Sequence, residues 1–398
     1  MTSIAGESAP RSSAPGAFSI GVLGSYGGLN VGDEAILVSV LAGLRALRPQ
    51  ARLMVFSRNA EHTRAHCWVD EVVALEQADR RELAAAVSRL DLLILGGGGF
   101  VYDGECQRYL RVVQAAHTAG VPVFVHAIGA GPLTDHGDGG IARNALQRVQ
   151  DLVVRDQGSK HVLEHVGVDT DITVTADPAL LLRPAVFERE RLDREGIPDD
   201  VRLVGVSVRE PGRAAEFLDE DGYYDLLAVV SDFLVHRLDA HLVFLPMERN
   251  DLRHSHSVLS RMTDPARGRI LHGPFQPAEV LGLMEHLHLV VGMRLHFLIF
   301  AAMAGVPFLP LPYAGKVFDF ACATGAPALR GVAREHAGPL LSDIDRLWDE
   351  RPIRLGLIRD RVAVLTERAQ HTRDRLGHLL DELDPQPLAA GVGDGGAA

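Results

Sequence analysis

From Phe18 onward the chain alternates short runs of apolar and β-branched residues with longer segments of helical spacing, and this alternation restricts its fold more than any other feature. The first series of runs is Phe18 to Gly24, Leu53 to Ser57, Leu92 to Leu95, Val121 to Ile128 and Leu152 to Val154. A second series is Leu203 to Val208, His241 to Leu245, Arg269 to Leu271, Leu287 to Val291 and Val306 to Leu309. Strands separated by helices pair as parallel neighbours, because each crossover returns the chain to the end where it started. The predicted class is α/β, with two doubly wound Rossmann-like domains of similar sheet size facing a cleft at the carboxyl ends of their strands.

The domains are expected over residues 18–183 and 201–383, the second ending in closing helices after Gly338. Residues 184–200 are charged, hold Pro184 and Pro198, and read as the linker. Residues 1–17 (Ser, Ala, Gly and Pro) and 384–398, with Pro385 and Pro387, read as a disordered leader and tail. A formal charge of −12 over 398 residues repels nucleic acid backbones, so no nucleic acid partner is expected. The most apolar stretch, Phe297 to Gly315, is broken by Pro307, Pro310 and Pro312 and reads as buried core. No integral membrane segment is expected, only peripheral contact if the substrate is lipid-linked. Three scattered cysteines, Cys67, Cys106 and Cys322, give neither a disulfide framework nor a metal motif, which fits a reducing, cytoplasmic setting.

Three loop motifs carry the candidate chemistry. Between the first strand and helix lies Gly24-Ser-Tyr-Gly27-Gly28-Leu-Asn30-Val-Gly32-Asp33-Glu34, where glycines admit a ligand and helix amides attract anions. Its glycines do not have the G-x-G-x-x-G spacing of a dinucleotide loop, and Asp33 also fits a helix cap. The strand Leu92 to Leu95 runs into Gly96-Gly97-Gly98-Gly99, followed by Asp103, a carboxylate suited to orienting or deprotonating a sugar hydroxyl at the cleft edge, or else a solvated surface group. Val290-Val-Gly-Met-Arg294-Leu-His296 ends a strand and enters an apolar helix, which brings a guanidinium and an imidazole to free helix amides. Arg294 there requires an acidic partner, either a protein carboxylate or a bound phosphate.

Lesser candidates at loop edges are Arg155-Asp156 with Ser159, Ala176-Asp177-Pro178, Arg209, and Tyr313 with Lys316. The pairs His254 and His256, and His286 and His288, form half of a metal site at most, so no metal is expected.

In order and spacing, Asn30-Val-Gly32-Asp33-Glu34, Gly96 to Gly99 with Asp103, Val154-Arg155-Asp156-x-x-Ser159, Ala176-Asp177-Pro178 and Met293-Arg294-Leu295-His296 resemble the polysaccharide pyruvyl transferase family across about residues 20 to 320. The resemblance implies a glycosyltransferase-B-like pair of domains, with the acceptor on the N-terminal side and the donor on the C-terminal side. It also implies transfer of the pyruvyl unit of phosphoenolpyruvate onto two hydroxyls of a sugar or glycan-like acceptor, forming a ketal and releasing phosphate without a cofactor. By motif, His296, Arg294 and Asp103 are the expected catalytic residues. The expected substrate-binding set is Asn30, Gly32, Asp33, Gly97, Gly98, Arg155, Arg209, Tyr313 and Lys316. Where relatives commonly read Tyr-Asp-Pro-Lys, this chain has Tyr313-Ala-Gly-Lys316. The alternatives are a nucleotide-sugar glycosyltransferase of the same architecture and a noncatalytic sugar- or anion-binding protein.

Overall fold

The computed structural model describes residues 17–211, 218–273, 275–326, 332–333 and 336–385. The expected leader, apart from Ala17, and the expected tail beyond Pro385 lie outside the described residues.

Among the described residues, thirteen strands form two parallel sheets. The first contains β1 (Ser19–Leu23), β2 (Arg52–Ser57), β3 (Glu71–Ala74), β4 (Leu92–Leu95), β5 (Gly98–Val101), β6 (Val123–Ala130), β7 (Asp151–Val154) and β8 (Ile172–Val174), in the order β3-β2-β1-β4-β6-β7-β8 with β5 paired to β6. The second contains β9 (Arg202–Ser207), β10 (Ala240–Phe244), β11 (Gly268–Ile270), β12 (Leu289–Gly292) and β13 (Phe308–Pro310), in the order β11-β10-β9-β12-β13. Helices cover both faces of these sheets, so β4, Leu-Leu-Ile-Leu, is apolar and buried throughout. In each sheet the order reverses beside the first strand, and the loops leaving the strand ends there open onto a common crevice.

The α/β class and parallel pairing agree with expectation, but the sheets are unequal, with eight strands against five. The strands not anticipated, β3, β5 and β8, are three or four residues long, and one is half glycine, too short to show a period. The interval 184–200 contains a helix, Glu190–Arg194, and buries Phe187, Leu192 and Ile197 in the main core. It is a packed connection.

The assignment of 201–383 to the second sheet alone also needs correction. Helix Arg351–Leu383 returns to the first sheet, where Arg375 forks onto Asp151 at 2.8 and 2.9 Å and Thr372 bonds Thr175 at 2.7 Å. Its Leu376 and Leu380 share a core with Ile20 and Ile94 from the first sheet and Val290 and Phe297 from the second. Position in the chain carries no information about where so long a helix docks. Leu376→Ala truncates a buried side chain in the core that both sheets share and should cost about 2–5 kcal/mol, read by urea denaturation as a single shifted transition.

Asn30, not Asp33, caps helix Val31–Leu47, its side chain accepting from the amides of Gly32 and Asp33 at 3.0 and 3.4 Å. One turn on, Glu34 accepts the Gly27 N–H at 2.8 Å and so ties the loop after β1 to the helix. Burial raises its carboxyl from 4.5 to about 7, more than the amide bonds of Gly27 and Leu29 lower it. Between these values the folded chain keeps a proton that the unfolded chain has lost, so this group's contribution to stability falls as pH rises from about 4.5 to about 7. Glu34→Gln keeps an acceptor for Gly27 without the titration. Its stability relative to the parent chain should therefore grow by up to about 3 kcal/mol across that window, measured by denaturant titration at successive pH values.

Candidate active site in the cleft between the sheets

The strand-end loops of both sheets enclose a cavity of about 1080 Å³. The first sheet contributes Asn30, Asp33, Gly99, Tyr102, Asp103, Arg155 and Asp156, and the second contributes Arg209, Glu248, Arg294, His296, Tyr313 and Lys316. Two contacts lock the lobes at its floor: Val31 N–H to the Met247 carbonyl and Asn30 Nδ2 to Glu248, both 2.8 Å.

His296 stands at the first turn of helix Leu295–Met303, reaching across to the first lobe. Its Nε2 is buried 3.4 Å from Asp177 Oδ2, within ion-pair range but outside hydrogen-bonding alignment. The ring lies so close to the start of helix Val31–Leu47 that a Cβ on Gly32 would sit 1.9 Å from Nδ1. Gly32 therefore makes room for His296 and does not line the cavity.

Asp177 is 6% exposed and holds three groups at once. Oδ1 accepts the Ala179 amide at 3.0 Å, while Oδ2 faces Arg155 Nη1 at 3.2 Å and His296. Burial favours its neutral acid, but His296 and Arg155 outweigh that and hold the carboxyl well below the usual range. Arg155 also donates Nε to Asp156 at 3.0 Å, and a Cβ on Gly129 would lie 2.5 Å from its Nη2. It reaches the cavity wall already paired with two carboxylates.

Of the two acidic partners expected for Arg294, the structure supplies protein carboxylates, so it does not project as a free anion hook. Its Nε donates to both oxygens of Asp251 at 3.2 and 3.0 Å, and Nη2 donates to Asp251 Oδ1 at 2.5 Å and to Glu248. Glu210 stands 3.8 Å away. Asp251 is fully buried, so the guanidinium supplies the counter-charge that this carboxylate needs. Sequence reasoning missed Glu248 and Asp251, although they follow the end of β10, where a strand-end rule would have looked.

Asp103 is corrected as well. Its carboxylate accepts the amides of Thr134 and Asp135 and the Thr134 hydroxyl, at 2.6 to 3.1 Å, and so fastens the loop after β6. A carboxylate saturated with donors is a poor base. Gly97 packs under Ile36 and Pro178, Gly98 lies against Phe100 and Asp33, and of this run it is Gly99 that reaches the cavity. Asn30 lines the cavity with its side chain committed to the cap and to Glu248. The histidine pairs are likewise engaged: His254 with Tyr224, His286 with the Phe187 carbonyl and His288 with the Leu203 amide.

The remaining expected residues converge. Arg209, paired with Glu210, lies over the Tyr313 ring at 4.0 Å, and Lys316 Nζ is 5.4 Å from the same ring. Burial would raise the Tyr313 phenol, yet Lys316 and Arg209 bring it down to about 8. Lys316 forms no ion pair with a carboxylate among the described residues. Helices Leu295–Met303 and Gly315–Thr324 both start at the cavity wall without a side-chain cap, whereas Asn30 and Asp156 cap the first-lobe helices that start there. Two sets of helix amides thus face the cavity beside a lysine and an imidazole. Asp33 lies opposite, its carboxyl raised by burial against the lowering influence of His296 and Lys316.

The fold is shared with S. aureus MnaA solved with UDP, with the Neisseria meningitidis UDP-GlcNAc 2-epimerase bound to UDP-GlcNAc and with a glycosyltransferase from Rickettsia africae ESF-5. The TM-scores are 0.64, 0.59 and 0.63, at 11%, 11% and 10% identity, covering 92%, 91% and 94% of this chain and 97%, 99% and 100% of those chains. At such identity the likeness concerns architecture alone. The amylovoran biosynthesis protein AmsJ of Erwinia amylovora is 24% identical over 266 residues, and the chain spans 61% of that relative's length, as the match spans 61% of this one. The sequence profile for polysaccharide pyruvyl transferase matches residues 30–315, a span that runs from the Asn30 cap to the start of the Lys316 helix. The chain belongs to the polysaccharide pyruvyl transferase family.

Proposed function

We propose that this protein transfers the pyruvyl unit of phosphoenolpyruvate onto two hydroxyls of a sugar or glycan-like acceptor, in the cytoplasm, as a step of polysaccharide biosynthesis. The observation that carries this reading is the convergence of two uncapped helix starts on Lys316 and His296. Phosphoenolpyruvate has a phosphate and a carboxylate, and this arrangement offers each a separate set of amide and cationic donors. Arg294 serves as a positioning residue, fixing the strand-to-helix corner from which His296 projects.

In the reaction, His296 as imidazolium gives a proton to the methylene carbon, and positive charge develops at the carbon bearing the phosphate. The first acceptor hydroxyl bonds to that carbon and returns its proton to the imidazole. The bond to phosphate breaks, the second hydroxyl closes the ketal, and its proton leaves with the phosphate. Asp177 faces the buried side of the imidazole, 3.4 Å from Nε2. The helix amides and Lys316 hold the leaving phosphate.

Mass spectrometry of candidate glycosides incubated with enzyme and phosphoenolpyruvate should find products in which a single 1-carboxyethylidene group has replaced the protons of a hydroxyl pair, together with released phosphate. His296→Ala should lower turnover roughly 100-fold or more while keeping donor affinity. Lys316→Ala should weaken donor binding about 10-fold by calorimetric titration. Full turnover by His296→Ala, or no binding of phosphoenolpyruvate to the parent chain, would remove the reading.

A further inference from the structure

The side of the cavity on the first lobe is built differently. Its wall comes from the strand ends of the first sheet and includes Gly28, Arg58, Tyr102 and Glu105. Beneath lies a fixed aromatic floor, since Phe100 and Tyr109 are 2% and 1% exposed, with centroids 4.5 Å apart. Tyr102 differs from both, being 37% exposed. Its backbone carbonyl accepts the amides of Glu105 and Cys106, each at 3.1 Å, so a rigid turn presents the ring. An aromatic side chain held open to a cavity by its own backbone has unspent apolar area, which a ligand with a flat apolar face would cover.

The polar groups beside it are balanced. Arg58 donates Nε to Glu76 at 3.1 Å, and its Nη1 comes within 3.2 Å of where a Cβ on Gly28 would be, so glycine there clears its path to the cavity. Glu105 stands 3.7 Å from Arg108, which also meets Glu76 at 3.1 Å. Two arginines face two glutamates. The group as a whole offers N–H donors and carboxylate acceptors without net charge, and an anion gains little there. Asp103, the nearest further carboxylate along the chain, is occupied by Thr134 and Asp135.

We propose that Tyr102, Arg58 and Glu105 form the subsite for the acceptor, and that it takes an uncharged pyranose ring. The C–H face of the sugar lies on Tyr102, Arg58 donates to its hydroxyls and Glu105 accepts from them. That this ring is the acceptor rests on the pyruvyl-transfer reading. That the subsite holds a neutral sugar does not.

Saturation-transfer NMR with irradiation of aromatic protons tests it on the full chain, using methyl β-galactopyranoside, methyl β-glucopyranoside and galactose 1-phosphate as probes without donor present. The expected result is transfer to ring C–H protons of at least one methyl glycoside, and no tighter binding of the phosphate ester. Tyr102→Ala should weaken that binding about five-fold, while Tyr102→Trp retains it. Circular dichroism establishes that both variants are folded. The proposal is overturned if neither glycoside receives transfer or if Tyr102→Ala binds as well as the parent chain. Because no turnover is read, glycoside binding without affinity for phosphoenolpyruvate would remove the transferase reading and leave the subsite standing.

Discussion

The buried carboxylate of Asp177 is the charge around which the cleft is organised. It is reached by Arg155 from the first sheet and by His296 from the second, so one carboxylate faces a group from each lobe. Because the carboxyl is held below its ordinary range, its contribution to stability is present above the usual carboxylate pKa and is lost as pH falls through the depressed value. The same interaction that joins the lobes therefore also aims the imidazole. Structure and chemistry are not separable at this residue.

Arg294 shows the complementary case. Its partners Asp251 and Glu248 are brought from the end of β10, and Glu248 in turn accepts from Asn30 of the other lobe. A chain of polar contacts thus runs from the cap of helix Val31–Leu47 to the corner that precedes His296. Gly32 sits inside that chain, since any side chain at this position would displace the imidazole. The helix start, the glycine and the histidine are one device, assembled from positions more than 250 residues apart in sequence.

Strands were legible where four or more apolar residues ran together, as in β1, β4 and β9, because burial on both faces leaves a continuous signature. The strands β3, β5 and β8 were not, because short pairings are decided by neighbours. Sequence pointed to the loops that line this cavity and to Arg209, Tyr313, Lys316 and His296, which the structure brings to its wall. It could not foresee which cations were already neutralised. Arg294 and Asp103 look reactive as residue types, and only the arrival of Asp251 and Thr134 makes them structural. Tyr102, Arg58 and Glu105 escaped notice because an exposed aromatic residue is ordinary until its position in a cavity is known.

On the proposed reading, the difference in charge between the two lobes gives the reaction a direction. On the second lobe two uncapped helix starts and Lys316 favour an anion, and on the first Arg58 and Arg108 are matched by Glu76 and Glu105. On that reading an anionic donor would gain from the first group and a neutral sugar from the second. His296 lines the same cavity, as the proposed transfer requires of its proton donor. A cavity of about 1080 Å³ leaves room for both ligands at once. The contacts of Val31 and Asn30 hold the two lobes together at the floor of the cavity in which the proposed substrates would meet.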